Sequence, residues 1–295
     1  RRPGTLRSSN TPRPDPGLFS TGSRPDPDTD PESTVILQDK TLIISGVGPG
    51  LGGEVARLAV RDGANVVVAA RSADKLAAAA AELDPSGERV LAVPTDIVDL
   101  AACEALVAAA VERFGALHGV AQVAAVDTAL GDLAASSDED WRRCFDTNVV
   151  GSMNLVRAAA PALRDAGGGA VVLIGSQSAL LPPSAMPQIA YAASKGALLS
   201  AMYHLADELG PDHIRVNAVI PTWMWGPPVQ MYVDWQAGER GIPSEEVIGE
   251  ITANMSIPEI PADEDVAEAV VWLCSDRARM ITGQSLMVNA GELKG

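Results

Sequence analysis

From Val35 onward the chain alternates short runs of consecutive apolar residues with longer runs that are apolar on one face. Thr41–Ser45, Asn65–Ala70, Val90–Val93, Val120–Ala125, Ala170–Gly175, Arg215–Ile220 and Ser285–Val288 read as strands. Between them, 50–62, 73–83, 100–114, the region 138–164, 191–209 and 263–274 read as helices. Strands spaced by helices of this length predict βαβ units and a parallel sheet. The strands are continuous Val, Ile, Leu and Ala runs rather than alternating ones, as expected where helices cover both faces. The predicted class is α/β, a doubly wound Rossmann-type sheet of about seven strands in a single domain, 35–295.

The first 34 residues break the pattern. They hold seven of the 21 prolines and almost no apolar side chains, a composition that cannot bury enough surface to fold. A disordered leader over 1–34 is the expectation. Its five arginines match five acids, so the net charge of −16 belongs to the remainder. That charge argues against nucleic acid and against anionic membrane surfaces. No apolar stretch is long enough to span a bilayer, and the leader lacks a secretory apolar core. The expected location is therefore the cytoplasm. Three separated cysteines and three scattered histidines suggest no disulfide scaffold and no metal site.

The first strand runs into Ser45-Gly-Val-Gly-Pro-Gly-Leu-Gly-Gly53, and a helix follows. Dinucleotide phosphates require backbone N–H groups at a helix start and glycines that permit close approach. Gly48, Gly50 and Gly53 form one possible spacing. Gly46, Gly50 and Gly52 form another, G-x-x-x-G-x-G, which begins directly after the strand and is preferred. After the second strand stands Arg71, where an acid would grip the ribose hydroxyl of NAD. Arg71 leans the choice toward NADP over NAD. Asp96-Ile97 follows the third strand and could border an adenine ring, although an isolated loop Asp is usually a helix cap.

Tyr191 and Lys195 stand at i, i+4 on one helical face, where an ammonium can stabilise a phenolate. At this point the chain resembles the compact branch of the short-chain dehydrogenases/reductases. The matching segments are SGVGPGLG (45–52), AARS (69–72), DI (96–97), DTNVVGS (146–152), VVLIGS (171–176), YAASK (191–195), IRVNAVIP (214–221) and ITGQSLMVNAG (281–291). The resemblance implies a nicotinamide cofactor, with Tyr191 as general acid/base and Lys195 lowering its pKa and binding the nicotinamide ribose. It further implies Asn148 in a proton relay and a serine on the substrate oxygen. Strand register selects Ser176 for that role and counting back from Tyr191 selects Ser178; registers are held more tightly than loop lengths, so Ser176 is preferred. Gly46, Gly50, Leu51, Gly52, Arg71, Asp96, Ile97, Pro221 and Thr222 would line the cofactor.

Three segments depart from the family pattern. Gln122-Val-Ala-Ala125 stands for Asn-Asn-Ala-Gly, Ser45 for Thr, and Asn289-Ala-Gly291 for Asp-Gly-Gly. The first puts the cofactor site in question and motivates a second reading, a non-catalytic nucleotide sensor or scaffold. Residues 222–260 interrupt the alternation and concentrate Trp223, Trp225, Tyr232 and Trp235, as a substrate lid over a bulky apolar alcohol or ketone would. Packing of the lid or of a subunit contact would account for the same aromatics. A 3-oxoacyl thioester is a third possibility, disfavoured because its carrier is acidic like this chain. Ala-rich faces near 153–164 and 196–206 suit a homo-tetramer or homo-dimer.

Overall fold

The computed structural model describes residues 35–183 and 186–294. All of these belong to one compact unit. The proposed leader lies outside the described residues. Seven strands form one sheet: β1 (Thr41–Ser45), β2 (Asn65–Ala70), β3 (Val90–Pro94), β4 (Gly119–Gln122), β5 (Gly169–Ile174), β6 (Ile214–Pro221) and β7 (Ser285–Val288). Their order is β3-β2-β1-β4-β5-β6-β7, and every pairing is parallel. The helices are α1 (Leu51–Arg61), α2 (Ala73–Leu83), α3 (Leu100–Phe114), α4 (Asp138–Phe145), α5 (Ser152–Asp165), α6 (Ile189–Leu209), α7 (Pro227–Arg240), α8 (Ser244–Thr252) and α9 (Asp263–Cys274).

The central strands β1, β2, β4, β5 and β6 are buried on both faces, and the edge strands β3 and β7 only in part. Along β1, Leu42 and Ile44 join the core under α1 and α9, and Ile43 joins the core under α3, α5 and α6. The continuous apolar runs are therefore divided between two helical layers. Helix ends follow local chemistry. Asp99 accepts from the N–H groups of Ala101 and Ala102 to start α3, and Gly115 in the left-handed region (φ 85) ends it. Ser137 and Asp140 form a reciprocal capping box on α4.

Two sequence readings are corrected. β4 stops at Gln122 rather than Ala125, because the backbone of Val126 is taken by the Asn148 side chain and Ala124 lies under Gly46. The helical region 138–164 is interrupted by a π-helical turn over Asp146–Gly151, between α4 and α5. Such turns widen a helix locally and occur often at functional sites. Periodicity alone does not reveal one, since one extra residue per turn leaves most of the apolar face in place.

The order of strand addition reverses between β1 and β4: β2 and β3 extend to one side of β1 and β4 to β7 to the other, with Ser45 paired to Ala69 on one side and Gln122 on the other. Parallel sheets of this kind take ligands beyond the carboxyl ends of the strands at that reversal. Among the described residues no helix is long and apolar enough to cross a membrane.

Candidate active site

The sequence-derived candidates lie in loops, strand ends and the first two turns of helices, with Asn148 in the π-helical turn. Gly46 follows β1 with φ 75, its N–H donating to Ala69 O at 2.7 Å. Any side chain on Gly46 would overlap the backbone of Ala124, and one on Gly52 would overlap the carbonyl of Gly46. Gly50 has φ 114 and immediately precedes α1. The turn thus needs glycine at the three positions of the G-x-x-x-G-x-G spacing, and Leu51 opens the helix with its N–H facing outward from the first turn. In the alternative spacing a Cβ at Gly53 would overlap the Gly48 carbonyl, but one at Gly48 would meet nothing, so that spacing needs glycine at only two of its three positions. This is a cradle of the form that receives phosphate.

The unusual loop after β4 is filled rather than broken. The hydroxyl of Ser45 bonds the Gln122 side-chain oxygen and also accepts from Val123 N (3.2 Å) and Ala124 N (3.3 Å). Gln122 Nε2 donates to Ala124 O at 3.0 Å and to Ser152 Oγ at 2.9 Å. Ser152 in turn donates to Asn148 O at 2.7 Å. Gln122 is longer by a methylene than the expected Asn, and Ser45 smaller by a methyl than the expected Thr. The two departures compensate, and the network ties the glycine turn to the π-helical turn.

That turn carries Asn148, buried and bonded on every side. Its Oδ1 accepts from Val126 N at 2.7 Å, and its Nδ2 donates to Val126 O (3.0 Å) and Ser194 Oγ (2.9 Å). Ser194 donates to Tyr191 O at 2.7 Å. Asn148 therefore links the β4 loop to the first turn of α6. Ser176 lies close enough to the Tyr191 phenol to lower its pKa, and its hydroxyl is 2.9 Å from Ser178 Oγ. The Ser178 N–H donates to Ser176 Oγ at 3.2 Å. Lys195 Nζ stands 5.6 Å from the Tyr191 ring centre and donates to Ile174 O at 2.6 Å.

Burial dominates the protonation of this pair. It pushes the Tyr191 phenol up to about 12, opposed by the Ser176 hydrogen bond. It brings the Lys195 ammonium down to about 8, with Asp127 working in the opposite direction. Desolvation, and not Lys195, therefore dominates the Tyr191 phenol in this arrangement.

Arg71 is exposed at the end of β2 and has no partner among the described residues. Asp96 accepts from Val98 N at 3.1 Å in a turn within the loop, the helix cap here being Asp99, and Ile97 is buried against Gly151. Pro221 ends β6. Thr222 bonds the carboxylate of Glu292, which also accepts from Gln177 Nε2 at 2.7 Å. Glu292, Gln177 and Asn289 were not identified from the sequence. Asn289 donates to Gln177 Oε1 at 2.7 Å, so the C-terminal segment braces the loop that carries Ser176. Only the unusual Asn289-Ala290-Gly291 motif hinted at this. Among the described residues no group of three or more His, Cys, Asp or Glu could hold a metal ion.

A glycine cradle where the strand order of a parallel sheet reverses, together with a cluster of buried Lys195 and Asn148 and half-buried Tyr191 and Ser176, defines a dinucleotide-dependent oxidoreductase. The family model described as enoyl-(acyl carrier protein) reductase matches residues 46–292. L-Rhamnose 1-dehydrogenase (NAD(P)(+)) of Azotobacter vinelandii is 32% identical over 87% of this chain and 98% of its own. A-factor type gamma-butyrolactone 1'-reductase of Streptomyces virginiae is 33% identical over 87% and 96%. The structure of L-sorbose reductase from Gluconobacter frateurii, complexed with NADPH and L-sorbose, superposes with a TM-score of 0.82 at 26% identity, covering 89% of this chain and 99% of that one. The chain belongs to the short-chain dehydrogenase/reductase family and is an NAD(P)-dependent oxidoreductase of it.

Proposed function

We propose that this enzyme interconverts a ketone and a secondary alcohol carried on an apolar body, with NADP(H) preferred. The bound nicotinamide supplies or accepts the hydride. Tyr191 exchanges the proton with the substrate oxygen, Ser176 holds that oxygen, and Lys195 binds the nicotinamide ribose. Gly46, Gly50, Leu51 and Gly52 cradle the phosphates, and Pro221 and Thr222 border the nicotinamide end. The observation that carries this reading is the convergence of buried Lys195, its Nζ 5.6 Å from the Tyr191 ring centre, with the Tyr191 phenol and Ser176, which lowers the pKa of that phenol. Burial keeps Tyr191 in the phenol form, which is the form that donates a proton during ketone reduction.

Two observations support the finer points. The unpartnered Arg71 is free to meet a 2′-phosphate. A groove of about 320 Å³ runs beside Ser178 between two loops, lined by Leu133, Pro182, Pro183, Pro187, Ile189 and Ala192, and favours an apolar substrate body. The names of the relatives span sugars and a butyrolactone, so the substrate class rests on this chain's own groove. We read 222–260 as the lid. In it Trp223 and Tyr232 pack with ring centres 5.2 Å apart, and Trp235 is 58% exposed. A homo-tetramer or homo-dimer through α5 and α6 is the assembly we expect, and we place the enzyme in the cytoplasm.

The test is a Tyr191→Phe variant assayed on a panel of ketones, together with titration by nicotinamide fluorescence. Turnover should fall by at least about a thousandfold, the range of general acid catalysis with the relay removed. NADPH affinity should stay near that of the wild type and exceed NADH affinity. Retained turnover would sink the assignment of Tyr191, and tighter NADH binding would sink that of Arg71.

A further inference from the structure

We propose that Asp263 sets the affinity for the dinucleotide: its carboxylate stands between the phosphate cradle and the root of the lid, repels the phosphates when ionised, and takes up a proton when the dinucleotide binds. Asp263 is the first residue of α9. A methyl group on Gly50 would lie 3.5 Å from Asp263 Oδ2, and one on Gly226, at the root of α7, would overlap the same carboxylate. The lid root is fastened here, with Trp225 N donating to Pro261 O at 2.7 Å. Glycine at 226 therefore leaves room for Asp263, and Asp263 faces the positive-φ turn that a pyrophosphate must approach.

The carboxylate has no hydrogen-bond or ion-pair partner among the described residues. It is half-buried, and desolvation, with Glu54 adding like charge, raises its pKa above the ordinary Asp value. The surrounding charges do not offset it. On α1, Arg57 is committed to Glu54 and to Glu264, each at 2.8 Å. On α9, Asp265 accepts from Ala262 N at 2.8 Å. The glycine turn 45–53 and the lid root 222–230 contain no charged residue, and Arg215 of β6 bonds the carbonyls of Ser275 and Ile281 at the far end of α9. A dinucleotide pyrophosphate in the cradle would thus meet an uncompensated carboxylate in a partly desolvated place, where like charges repel strongly.

This inference rests on reading Gly46–Gly52 as the phosphate cradle. NAD+ serves as the probe, because its pyrophosphate keeps its charge across the range used and it lacks a titrating 2′-phosphate. Binding to wild type, Asp263→Asn and Glu54→Gln is measured by calorimetry at pH 5 and pH 8, in two buffers of different ionisation enthalpy. Wild-type affinity should weaken at least about threefold from pH 5 to pH 8, with proton uptake on binding. Asp263→Asn should bind about tenfold tighter than wild type at pH 8, with proton uptake reduced. Asp263→Ser, which keeps a helix-starting side chain, stands in if the Asn variant does not fold, and thermal melts establish folding for each. Equal affinity and equal proton uptake in the folded Asp263 variant and the wild type would overturn the proposal and leave the cradle intact. The same holds if the pH dependence disappears in Glu54→Gln and persists in the Asp263 variant. Absence of NAD+ and NADPH binding to wild type at both pH values would overturn the cradle reading itself.

Discussion

At the residue scale, Gln122 and Ser45, Gly226 and Ala290 each have a physical account. Gln122 and Ser45 exchange size across one hydrogen-bonded contact, so the buried amide is satisfied and the glycine turn keeps its seat. Gly226 is small because Asp263 occupies the space beside it. Ala290 is different, because it has φ 50, a left-handed conformation that costs a residue with a Cβ. Its carbonyl accepts from Ile257 N at 3.0 Å and holds the end of the lid segment, which keeps the strained turn in place. Ala290→Gly should therefore raise unfolding free energy by about 1 kcal/mol, less the extra entropy glycine brings to the unfolded chain. Urea denaturation of the two proteins measures it, and a destabilised variant would contradict the account.

At the element scale, the connections are specified as firmly as the helices. Asp84 follows α2 and accepts from the Ser86 hydroxyl (2.5 Å), Arg89 N (2.7 Å), Ser86 N (3.0 Å) and Val90 N (3.2 Å), folding the turn into β3. These donors, the Ser86 hydroxyl first, hold its pKa down to about 2. A carboxylate depressed in the folded state stabilises above its unfolded pKa, and that contribution is lost as pH falls through about 2. Asp84→Asn should accordingly lower the denaturation midpoint at pH 7, and the difference from wild type should shrink as pH approaches 2. A constant difference over that range would show that the carboxylate charge is not what orders the turn. The π-helical turn over Asp146–Gly151 is the other decisive element. It turns Asn148 toward Val126 and Ser194 and so joins the β4 loop to the helix that carries Tyr191 and Lys195.

At the scale of the whole molecule, the net charge of −16 opposes compaction through self-repulsion. The described surface ion pairs, such as Arg61–Glu268 (2.7 Å) and Arg240–Glu250 (2.6 Å), are exposed and contribute little each. Raising salt from about 20 to about 300 mM shortens the screening length several-fold and should raise the melting temperature. A melting temperature that falls with salt would mean that attractive pairs outweigh the net repulsion.

The sequence by itself determined the strand and helix alternation, because burial on both faces demands continuous apolar strands and amphipathic helices. It also determined the glycine turn and the Tyr191–Lys195 spacing, since a helix turn and a phosphate cradle are local geometries encoded by neighbours. Only the tertiary structure brings the Ser176–Ser178 hydroxyl pair to the Tyr191 helix, because that approach depends on how the β5 loop meets α6. The reach of Glu292 to Gln177 and Thr222, the Gln122–Ser152 bridge and the place of Asp263 beside Gly50 likewise join residues 30 to more than 200 positions apart. Such contacts are set by the packing of helices on the sheet, and no local pattern records them. The protonation of Tyr191 and Lys195 belongs with them, because desolvation is a property of the surrounding fold and not of the pair.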